Sequence, residues 1–307
     1  MRVETRSEGR LDQVVTCILN DKAGSNGAAD ARALITRIAA ERGWRARFVL
    51  CSGGDDLTAL AAQARAAGAM VVGGGGDGTI AAVAAALVDT DTPLGVLPLG
   101  TLNHFAKDLG IPLDLEKAVT ALFAGKAVRV DVGEVNGRIF LNNSSIGFYP
   151  RIVQEREREQ KLGRSKWLAL ARASALIFQR SRTLHVDIEG DHGRRQSYDT
   201  PFVFIGNNRY AVSGLEIGTR AVLDGGKLWV CAAPYAGRLT LIALATRALL
   251  GFVRDADLAA FESVETDVRM RRPHARVATD GEVVVMRTPL RYRSRPGALR
   301  VVVPSGD

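Results

Sequence analysis

The stretch GGGGDGT at residues 73–79 constrains this chain more than any other feature. It follows an apolar segment, residues 69–72, and leads into an alanine-rich segment with helical spacing, residues 79–88. Four consecutive glycines lose so much backbone entropy on folding that an incidental turn is a poor explanation for them. We therefore expect a loop between a buried strand and a helix, over residues 73–78, whose bare backbone adopts positive φ angles and lets a ligand approach closely.

The ligand that such a loop suits is a phosphate. The helix behind it offers unpaired N–H groups and the positive end of its dipole. Asp77 is unexpected beside an anion, but it is explained if Mg²⁺ accompanies the phosphates. The loop is not a Walker A motif, because no Gly-Lys-Ser/Thr follows it. Gly73, Gly75 and Gly78 satisfy GxGxxG only formally, since the acidic residue expected after the next strand is absent.

The same alternation of strand and helix runs through the first 125 residues or so. Strands are predicted at residues 14–19, 45–50, 69–72 and 94–97, and helices at residues 28–41, 56–67, 79–88 and 102–109. Repeated units of this kind predict an α/β fold with a doubly wound parallel sheet. The polar loops at residues 20–24 and 98–103 also follow strands, so the carboxyl edge of the sheet should bring them close to the glycine stretch.

The remainder of the chain has a different pattern. Asn136-Gly137 between two apolar runs, residues 128–135 and 138–146, is a strong hairpin signal. Further strands are predicted at residues 183–189, 201–205, 227–233, 264–269, 276–278, 283–287 and 299–303, and a helix at residues 238–252. We expect a nucleotide-binding domain at residues 1–127 and a mostly antiparallel, β-rich substrate domain at residues 128–307. The last strand is a candidate to return to the first domain.

Charge and composition restrict the partners. Lys and Arg number 41 against 33 Asp and Glu, a net charge of +8, and residues 151–182 hold nine basic and three acidic residues. The segment Arg151–Arg182 predicts either a solvated helix pair or a surface helix at anionic lipid. Aromatic residues are only 6% and base-reading motifs are missing, so nucleic acid is not an expected partner.

Cys17, Cys51 and Cys231 form no CxxC pair and are expected to be buried, reduced thiols.

The sequence shows neither the apolar core of a secretory signal nor a run long enough to span a membrane. The N-terminus has no apolar core of a secretory signal, and the longest apolar run, residues 239–253, is too short to span a bilayer and carries Arg247. We expect a cytoplasmic protein that acts at the periphery of a membrane. A homodimer is left open.

Five motifs in order along the chain are similar to those of a known superfamily. They are the first loop at residues 20–24, GGDGT at 75–79, PLGTLN at 98–103, LDGGKL at 223–228 and DGE at 280–282. Together they resemble the lipid kinases with a diacylglycerol kinase catalytic domain, which include sphingosine kinases and bacterial diacylglycerol-kinase-like enzymes. The resemblance extends over nearly the whole chain, and the ordered set is far more specific than GGDGT alone.

The resemblance implies roles for individual residues. Glu282 is the expected general base for the lipid hydroxyl, with Asp280 close to it and Asp77 at the phosphates. Asp224 is expected to help hold a structural Mg²⁺ together with backbone carbonyls near Ala221 and Gly226. The expected ATP contacts are Asn20, Lys22, Ala23, Gly24, Cys51, Gly75, Gly76, Gly78, Thr79, Thr101 and Asn103.

The chain also departs from the family pattern. Asp21 and Ala23 replace the Pro and Ser of the family's first loop, and Ala81-Ala82 stand where many members have Asn-Glu. His104 replaces an Asp, and an extra glycine separates Asp224 from Leu228. These differences concern phosphate, metal and acceptor contacts, and so they affect the identity of the substrate.

The residues alone leave simpler interpretations open. On local pattern, Asp280-Gly281 is a hairpin turn and Asp224-Gly225-Gly226 is another turn. Arg209, in the polar stretch 206–210, is a candidate phosphate contact.

The predicted activity is an ATP- and Mg²⁺-dependent transfer of phosphate to a lipid hydroxyl. The alternatives are a kinase for a soluble acceptor such as NAD and a non-catalytic regulator that binds nucleotide or lipid.

Overall fold

A computed structural model describes residues 13–21, 27–52, 54–147, 183–193, 195–211, 219–232 and 258–305. The chain divides into two compact units. Unit 1 comprises Met1–Arg129 and Leu299–Asp307, and unit 2 comprises Val130–Ala298. Two long strands pass from one unit into the other, so the chain crosses the boundary within regular structure.

Unit 1 is built from alternating strands and helices. These are β1 (Gln13–Asn20), α1 (Gly27–Glu41), β2 (Trp44–Cys51), α2 (Leu57–Ala67), β3 (Met70–Gly75), α3 (Asp77–Ala85), β4 (Leu94–Pro98), α4 (His104–Asp108) and α5 (Leu115–Ala124). The strands lie in the order β2-β1-β3-β4 and every pair is parallel. Helix α1 packs with α5, and α2 packs with α3. The predicted doubly wound parallel sheet is confirmed.

Burial explains why the inner strands of unit 1 have continuous apolar sequences. Residues 15–19 of β1 and all of β3 and β4 are buried, because strands in the middle of a parallel sheet are covered on both faces. The end of the chain adds to this sheet, with Val301 beside Leu94 in parallel.

The predicted loop over residues 73–78 is wrong in extent. Strand β3 continues through Gly75 and α3 begins at Asp77, so only Gly76 lies between them. Residues 73–75 form ladder pairs on β3 because that strand is held on both sides, by β1 and by β4. The expected positive φ angles are also absent at residues 73–78, all of which are described.

Two helices after β4 differ from prediction. The helix expected over residues 102–109 is reduced to His104–Asp108, since Asn103 adopts a left-handed conformation with φ of 52°. Helix α5 was not predicted at all. It begins after Asp114, whose carboxylate accepts a hydrogen bond from the Lys117 N–H at 3.0 Å, a standard N-cap.

Unit 2 consists of antiparallel strands. With the two strands that cross the boundary, these are β5 (Lys126–Val135), β6 (Arg138–Phe140), β7 (Asn143–Gly147), β8 (Leu184–Glu189), β9 (Arg195–Thr200), β10 (Phe202–Asn207), β11 (Leu228–Ala232), β12 (Ala259–Ser263), β13 (Glu265–Met270), β14 (His274–Thr279), β15 (Glu282–Arg287) and β16 (Leu290–Val303). One sheet has the order β12-β11-β10-β7-β14-β15. In a second group, β13 pairs with β16 and β8, and β8 pairs with β9.

One hydrophobic core joins the two groups of strands in unit 2. It includes Ile146 and Val277 from the first sheet and Ile188, Val268 and Tyr292 from the second group, all of them buried. The predicted β-rich character of this region is therefore confirmed. Strands β9 and β12 were not predicted.

The Asn136-Gly137 hairpin is confirmed, with φ angles of 47° and 85° and Val135 paired with Arg138. The single strand expected over residues 138–146 is instead split into β6 and β7. The break falls at residues 141–142, whose backbone N–H groups donate to the Asp280 carboxylate rather than to a neighbouring strand.

The structure also bears on the predictions for the cysteines and for membrane-spanning helices. Cys17, Cys51 and Cys231 are buried and form no disulfide, as predicted, and burial raises the pKa of the Cys17 thiol to about 12. Within the described ranges, no helix combines the length and the hydrophobicity needed to cross a bilayer. The segment Arg151–Arg182 and the helix predicted over residues 238–252 lie outside the described residues.

Candidate functional site

The amino end of α3 is the centre of the candidate site in unit 1. Gly76 occupies the N-cap position with φ of −83° and, having no side chain, makes no capping hydrogen bond. Its carbonyl accepts from the Ile80 N–H at 3.1 Å. The first-turn N–H groups of any helix lack intrahelical acceptors, and the dipole makes this end positive. The arrangement suits a bound anion.

Packing within the protein leaves little room for a side chain at three of the four glycines. A Cβ on Gly73 would lie 3.2 Å from Ile80 of α3, and one on Gly74 would lie 2.5 Å from Leu19. A Cβ on Gly75 would lie 2.6 Å from Thr79 Oγ1. A side chain at any of these positions would require Ile80, Leu19 or Thr79 to shift.

Gly76 differs from the other three. A Cβ there would meet only the Gly100 Cα within 4 Å, at 3.7 Å, which is an ordinary contact. Its φ angle is open to any residue. Neither packing nor backbone conformation therefore explains glycine at this position, and open space remains beside the backbone.

The three predicted loops converge at the carboxyl edge of the parallel sheet. Asn20, at the end of β1, donates from Nδ2 to Thr79 Oγ1 at 3.3 Å. After β4, the Leu99 N–H donates to the Gly75 carbonyl at 3.1 Å. A Cβ on Gly100 would clash with the Gly76 Cα, so the loops after β3 and β4 touch backbone to backbone.

Asp77 and Asn103 shape the loop after β4. Asp77 Oδ1 accepts from the Phe105 N–H at 3.2 Å, which ties α3 to the start of α4. The buried Asn103 amide accepts from the Gly100 N–H at 3.1 Å and donates to the Gly100 carbonyl at 2.8 Å. Asn103 thus braces residues 98–103 here, while its predicted contact with ATP stays a prediction. Thr101 is exposed in the same loop.

Cys51 lies at the end of β2 and is 2% exposed. Its thiol donates to the Leu19 carbonyl at 3.3 Å, and its pKa is raised by burial and, to a lesser extent, by Asp55. The thiol therefore links two strands, and its predicted contact with nucleotide stays a prediction. Lys22, Ala23 and Gly24 lie outside the described residues, whereas the exposed Asp21 donates its N–H to the Cys51 carbonyl at 2.9 Å.

In unit 2, the DGE motif forms the hairpin turn between β14 and β15. Asp280 and Gly281 have φ angles of 48° and 89°, and Thr279 pairs with Glu282 across the turn. The Asp280 carboxylate accepts from the N–H groups of Leu141 at 2.7 Å and Asn142 at 2.8 Å. Asp280 is thus a partly buried brace between this turn and the break after β6.

Burial raises the pKa of Asp280 to about 6, although three backbone N–H donors oppose the shift. Because the folded pKa lies above the ordinary value near 3.8, the stability that this group contributes is present below pH 4 and lost as the pH rises through 6. We expect a loss on the order of 3 kcal/mol. Urea unfolding from pH 4 to 8, compared with Asp280→Asn, measures it; a pH-independent difference between the two proteins contradicts it.

Glu282 is the accessible carboxylate of the motif. Its side chain is 62% exposed, and its Oε2 accepts from Arg138 at 2.5 Å. The same guanidinium donates from Nε to Thr279 Oγ1 at 2.9 Å. Arg138 therefore orients Glu282 at the tip of the hairpin, where its carboxylate is open to solvent.

The predicted metal loop is anchored by Asp131, a residue that sequence analysis missed. Asp131 is 2% exposed and accepts from the Gly226 N–H at 2.6 Å, the Gly297 N–H at 2.8 Å and Asn208 Nδ2 at 3.0 Å. The only local signal was an acidic residue within an apolar strand, VRVDVGEV. Ala221 and Asp224 are exposed in this loop.

The oxygen donors present fit Mg²⁺, which prefers carboxylates, carbonyls and water. No cluster of three or more His, Cys, Asp and Glu side chains occurs in the part of the chain that the structure describes. Asp224 would therefore share the ion with backbone carbonyls near Ala221 and Gly226 and with water.

Arg220 was also missed by sequence analysis. It is 4% exposed and donates to the carbonyls of Leu141 at 2.7 Å and Asn207 at 3.0 Å and to Asn142 Oδ1 at 2.8 Å. It holds the break after β6 against the end of β10. The candidate Arg209 is exposed and lies 3.9 Å from Glu262, and its phosphate contact stays a prediction.

Comparisons with known proteins agree with this architecture. The diacylglycerol kinase catalytic domain matches residues 14–135, and the YegS C-terminal NAD kinase beta sandwich-like domain matches residues 149–303. The chain is 31% identical over 280 residues, 86% of each chain, to "Probable lipid kinase YegS-like" of Pseudomonas syringae pv. syringae. It is 36% identical over 202 residues, 62% of each chain, to "Probable lipid kinase YegS" of Escherichia fergusonii.

A crystal structure of a diacylglycerol kinase from Bacillus anthracis shares the fold. It has a TM-score of 0.71 at 19% identity and covers 96% of this chain and 98% of that one. Fold, motifs and domain matches together define a kinase with a diacylglycerol kinase catalytic domain. Within that class, the chain belongs to the YegS family.

Proposed function

We propose that this protein transfers the γ-phosphoryl group of ATP, with Mg²⁺, to a hydroxyl group of a lipid such as a diacylglycerol or a long-chain amino alcohol. The observation that carries the nucleotide part is the open space beside Gly76 at an uncapped helix N-terminus. The lipid part is supported by the names of the relatives. A soluble acceptor and a regulatory role are kept as outcomes of the tests below.

The amino end of α3 receives the phosphates in this proposal. The N–H groups of Gly76, Gly78 and Thr79 and the helix dipole offset the negative charge, which is most of what phosphoryl transfer requires of a protein. Asn20 fixes the Thr79 hydroxyl. Thr101, on the touching loop, and the first-loop residues 22–24 complete the expected nucleotide contacts by resemblance.

Two carboxylates would each contact a magnesium ion. Asp77, at the amino end of α3, would serve the ion that accompanies the phosphates, and Asp224, in the loop that Asp131 anchors, would help to hold a structural ion. Mg²⁺, when bound, supplies positive charge against the phosphate oxygens. Asp77 Oδ1 already accepts one N–H, so its remaining oxygen is the one suited to a metal-bound water.

Glu282 would act as the general base. Its carboxylate takes the proton of the acceptor hydroxyl while the oxygen forms its bond to phosphorus and the bond to the ADP leaving group breaks. Arg138 holds the carboxylate from one side and leaves its other oxygen for the hydroxyl. A base needs this hydrogen-bond reach more than any other property.

The Glu282→Gln variant is expected to lose about 10²–10⁴-fold in kcat with little change in the apparent affinity for ATP, because it keeps its shape but cannot accept a proton. Steady-state kinetics with labelled ATP measure this. Glu116→Gln is the matched control: Glu116 is also 62% exposed and bound to an arginine, Arg37, at 2.7 Å. Equal activity of Glu282→Gln and wild type contradicts the assignment.

The acceptor is identified by separating labelled products. Purified protein, labelled ATP and Mg²⁺ are offered lipids and NAD in separate reactions, and products are resolved by thin-layer chromatography. Label in a lipid phosphate supports the proposal. Label only in a phosphorylated NAD identifies a soluble-acceptor kinase, and ATP binding without any product identifies a regulator.

A lipid acceptor requires contact with a membrane surface. We propose the basic segment Arg151–Arg182 as one contact, on its composition alone, since it lies outside the described residues. Salt-sensitive sedimentation with anionic liposomes is expected, and replacing its arginines and lysines should weaken it. Unchanged binding after those replacements contradicts this assignment.

A further inference from the structure

The hairpin formed by β14 and β15 carries arginines without acidic partners. Several other exposed arginines of unit 2 are paired, as Arg138 is with Glu282, Arg195 with Asp187 and Arg269 with Glu189. In contrast, no carboxylate among the described residues forms an ion pair with the exposed arginines at the open end and outer side of this hairpin. These are Arg271, Arg272, Arg276 and Arg287.

The sequence around the hairpin explains the missing partners. Residues 268–279 contain four arginines and one histidine but no Asp or Glu, and residues 283–306 contain five arginines and again no Asp or Glu. The acidic residues between them are Asp280, whose carboxylate accepts hydrogen bonds from backbone N–H groups, and Glu282, which is paired with Arg138. The positive charge is therefore not neutralised locally.

Strand register places several of these groups on one face. Arg276 pairs with Val285 and His274 pairs with Arg287, and residues that pair directly or stand two apart on a strand point to the same side. The other face, with Ala275 and Val277, belongs to the core. The outer face thus combines His274, Arg276 and Arg287 with an apolar side chain.

Val285 gives this face its apolar contact. Its side chain is 67% exposed, the largest exposed fraction among the described large hydrophobic residues. Strand β15 is at the edge of its sheet, so no further strand covers it in the described part of unit 2. An exposed valine among unpaired arginines is the combination that favours an anionic bilayer surface, since the arginines meet headgroups and the valine enters the interface.

We propose that the outer face of this hairpin, formed by His274, Arg276, Val285 and Arg287 with Arg271 and Arg272 at its open end, docks on anionic lipid. The functional role of this docking rests on the proposed function, in which the acceptor is a lipid in the membrane. Val285 lies three residues from Glu282, about 10 Å along the strand. Because side chains alternate along a strand, Glu282 points to the opposite side from Val285, so docking through the outer face leaves the proposed base uncovered.

The test is vesicle sedimentation without ATP. Wild type is expected to bind vesicles of phosphatidylglycerol and phosphatidylcholine, but not phosphatidylcholine alone, and to lose binding at high salt. Arg276→Gln with Arg287→Gln is expected to weaken binding about 30-fold, which corresponds to about 1 kcal/mol for each charge. Val285→Ser is expected to weaken it two- to tenfold, because only the small apolar contact is removed.

The matched control is Arg42→Gln with Arg47→Gln. These are two exposed arginines of unit 1 that have no acidic partner in the described residues, and this variant should bind vesicles like wild type. Equal loss in both double variants shows that binding follows net charge alone and overturns the proposal. Unchanged vesicle binding by the hairpin variants also overturns it. The same holds if these variants lose binding to single-stranded RNA but still bind vesicles as wild type does.

Activity on a water-dispersed, short-chain diacylglycerol separates this proposal from the proposed function. The hairpin variants should retain that activity and their melting temperatures, because the substituted side chains are exposed and make no ion pair. If no lipid is phosphorylated but vesicle binding depends on the hairpin, the kinase proposal fails and the docking surface stands. If lipid is phosphorylated but the hairpin variants bind vesicles normally, the docking surface fails alone.

Discussion

The Gly76→Ala variant is expected to fold normally and to lose Mg²⁺–ATP binding by on the order of 100-fold or more. A methyl group at Gly76 meets the protein only at the Gly100 Cα, at 3.7 Å, so its effect on stability should stay below about 1 kcal/mol. The same methyl group occupies the space from which a phosphate reaches the first N–H groups of α3. Losing one or two hydrogen bonds to a charged phosphate costs about 1.5–3 kcal/mol each, which corresponds to a loss of affinity on the order of 100-fold. Isothermal titration calorimetry and thermal unfolding measure the two effects.

Two other glycine substitutions serve as controls for this prediction. Gly75→Ala would place its Cβ 2.6 Å from Thr79 Oγ1, and it should lower the melting temperature as well as ATP binding. Gly27→Ala has no neighbour within 4 Å and should change neither. If Gly76→Ala binds ATP as wild type does, phosphates do not lie against this backbone.

Asp131→Ala is expected to destabilise the protein by about 3–5 kcal/mol, because it leaves three N–H donors, two of them in loops, without an acceptor. The donors are the Gly226 and Gly297 N–H groups and the Asn208 amide. Since Gly226 belongs to the loop that carries Asp224, the variant should also weaken Mg²⁺ binding at that loop. Urea unfolding gives the free energy, and calorimetry with Mg²⁺ gives the affinity.

Asp267→Ala is the control for Asp131→Ala. Asp267 is a partly exposed carboxylate on β13 that pairs with Arg269 at 3.5 Å, and surface pairs of this kind contribute about 1 kcal/mol or less. A loss below 1 kcal/mol in Asp131→Ala would show that the three hydrogen bonds do not anchor the loop.

The architecture of unit 1 could be predicted because its signals are local. Buried parallel strands have continuous apolar sequences, and glycine and polar residues mark their ends, so the sheet edge and its loops followed directly. The hairpin turns at residues 136–137 and 280–281 were equally local, since positive φ angles favour Asn-Gly and Asp-Gly.

The roles of individual site residues were harder to predict from the sequence. The glycines at residues 73–75 have no positive φ angles. They instead lie in tight space beside Leu19, Ile80 and Thr79, which are up to 55 positions away in the sequence. Asp131 and Arg220 act through partners from distant strands, and a single sequence does not show which distant backbone groups need a buried charge. The short, polar strand β9 lacked the alternation that a strand prediction needs.

Backbone amide chemical shifts measured during a titration with Mg²⁺–ATP test the central claim most directly. The largest shifts are expected at Gly76, Gly78 and Thr79, with smaller ones at Asn20 and Gly100, because the phosphates would accept hydrogen bonds at the amino end of α3. Saturable shifts that leave these amides unchanged and appear instead along α1, for example at Ala29 and Ala33, would contradict the account.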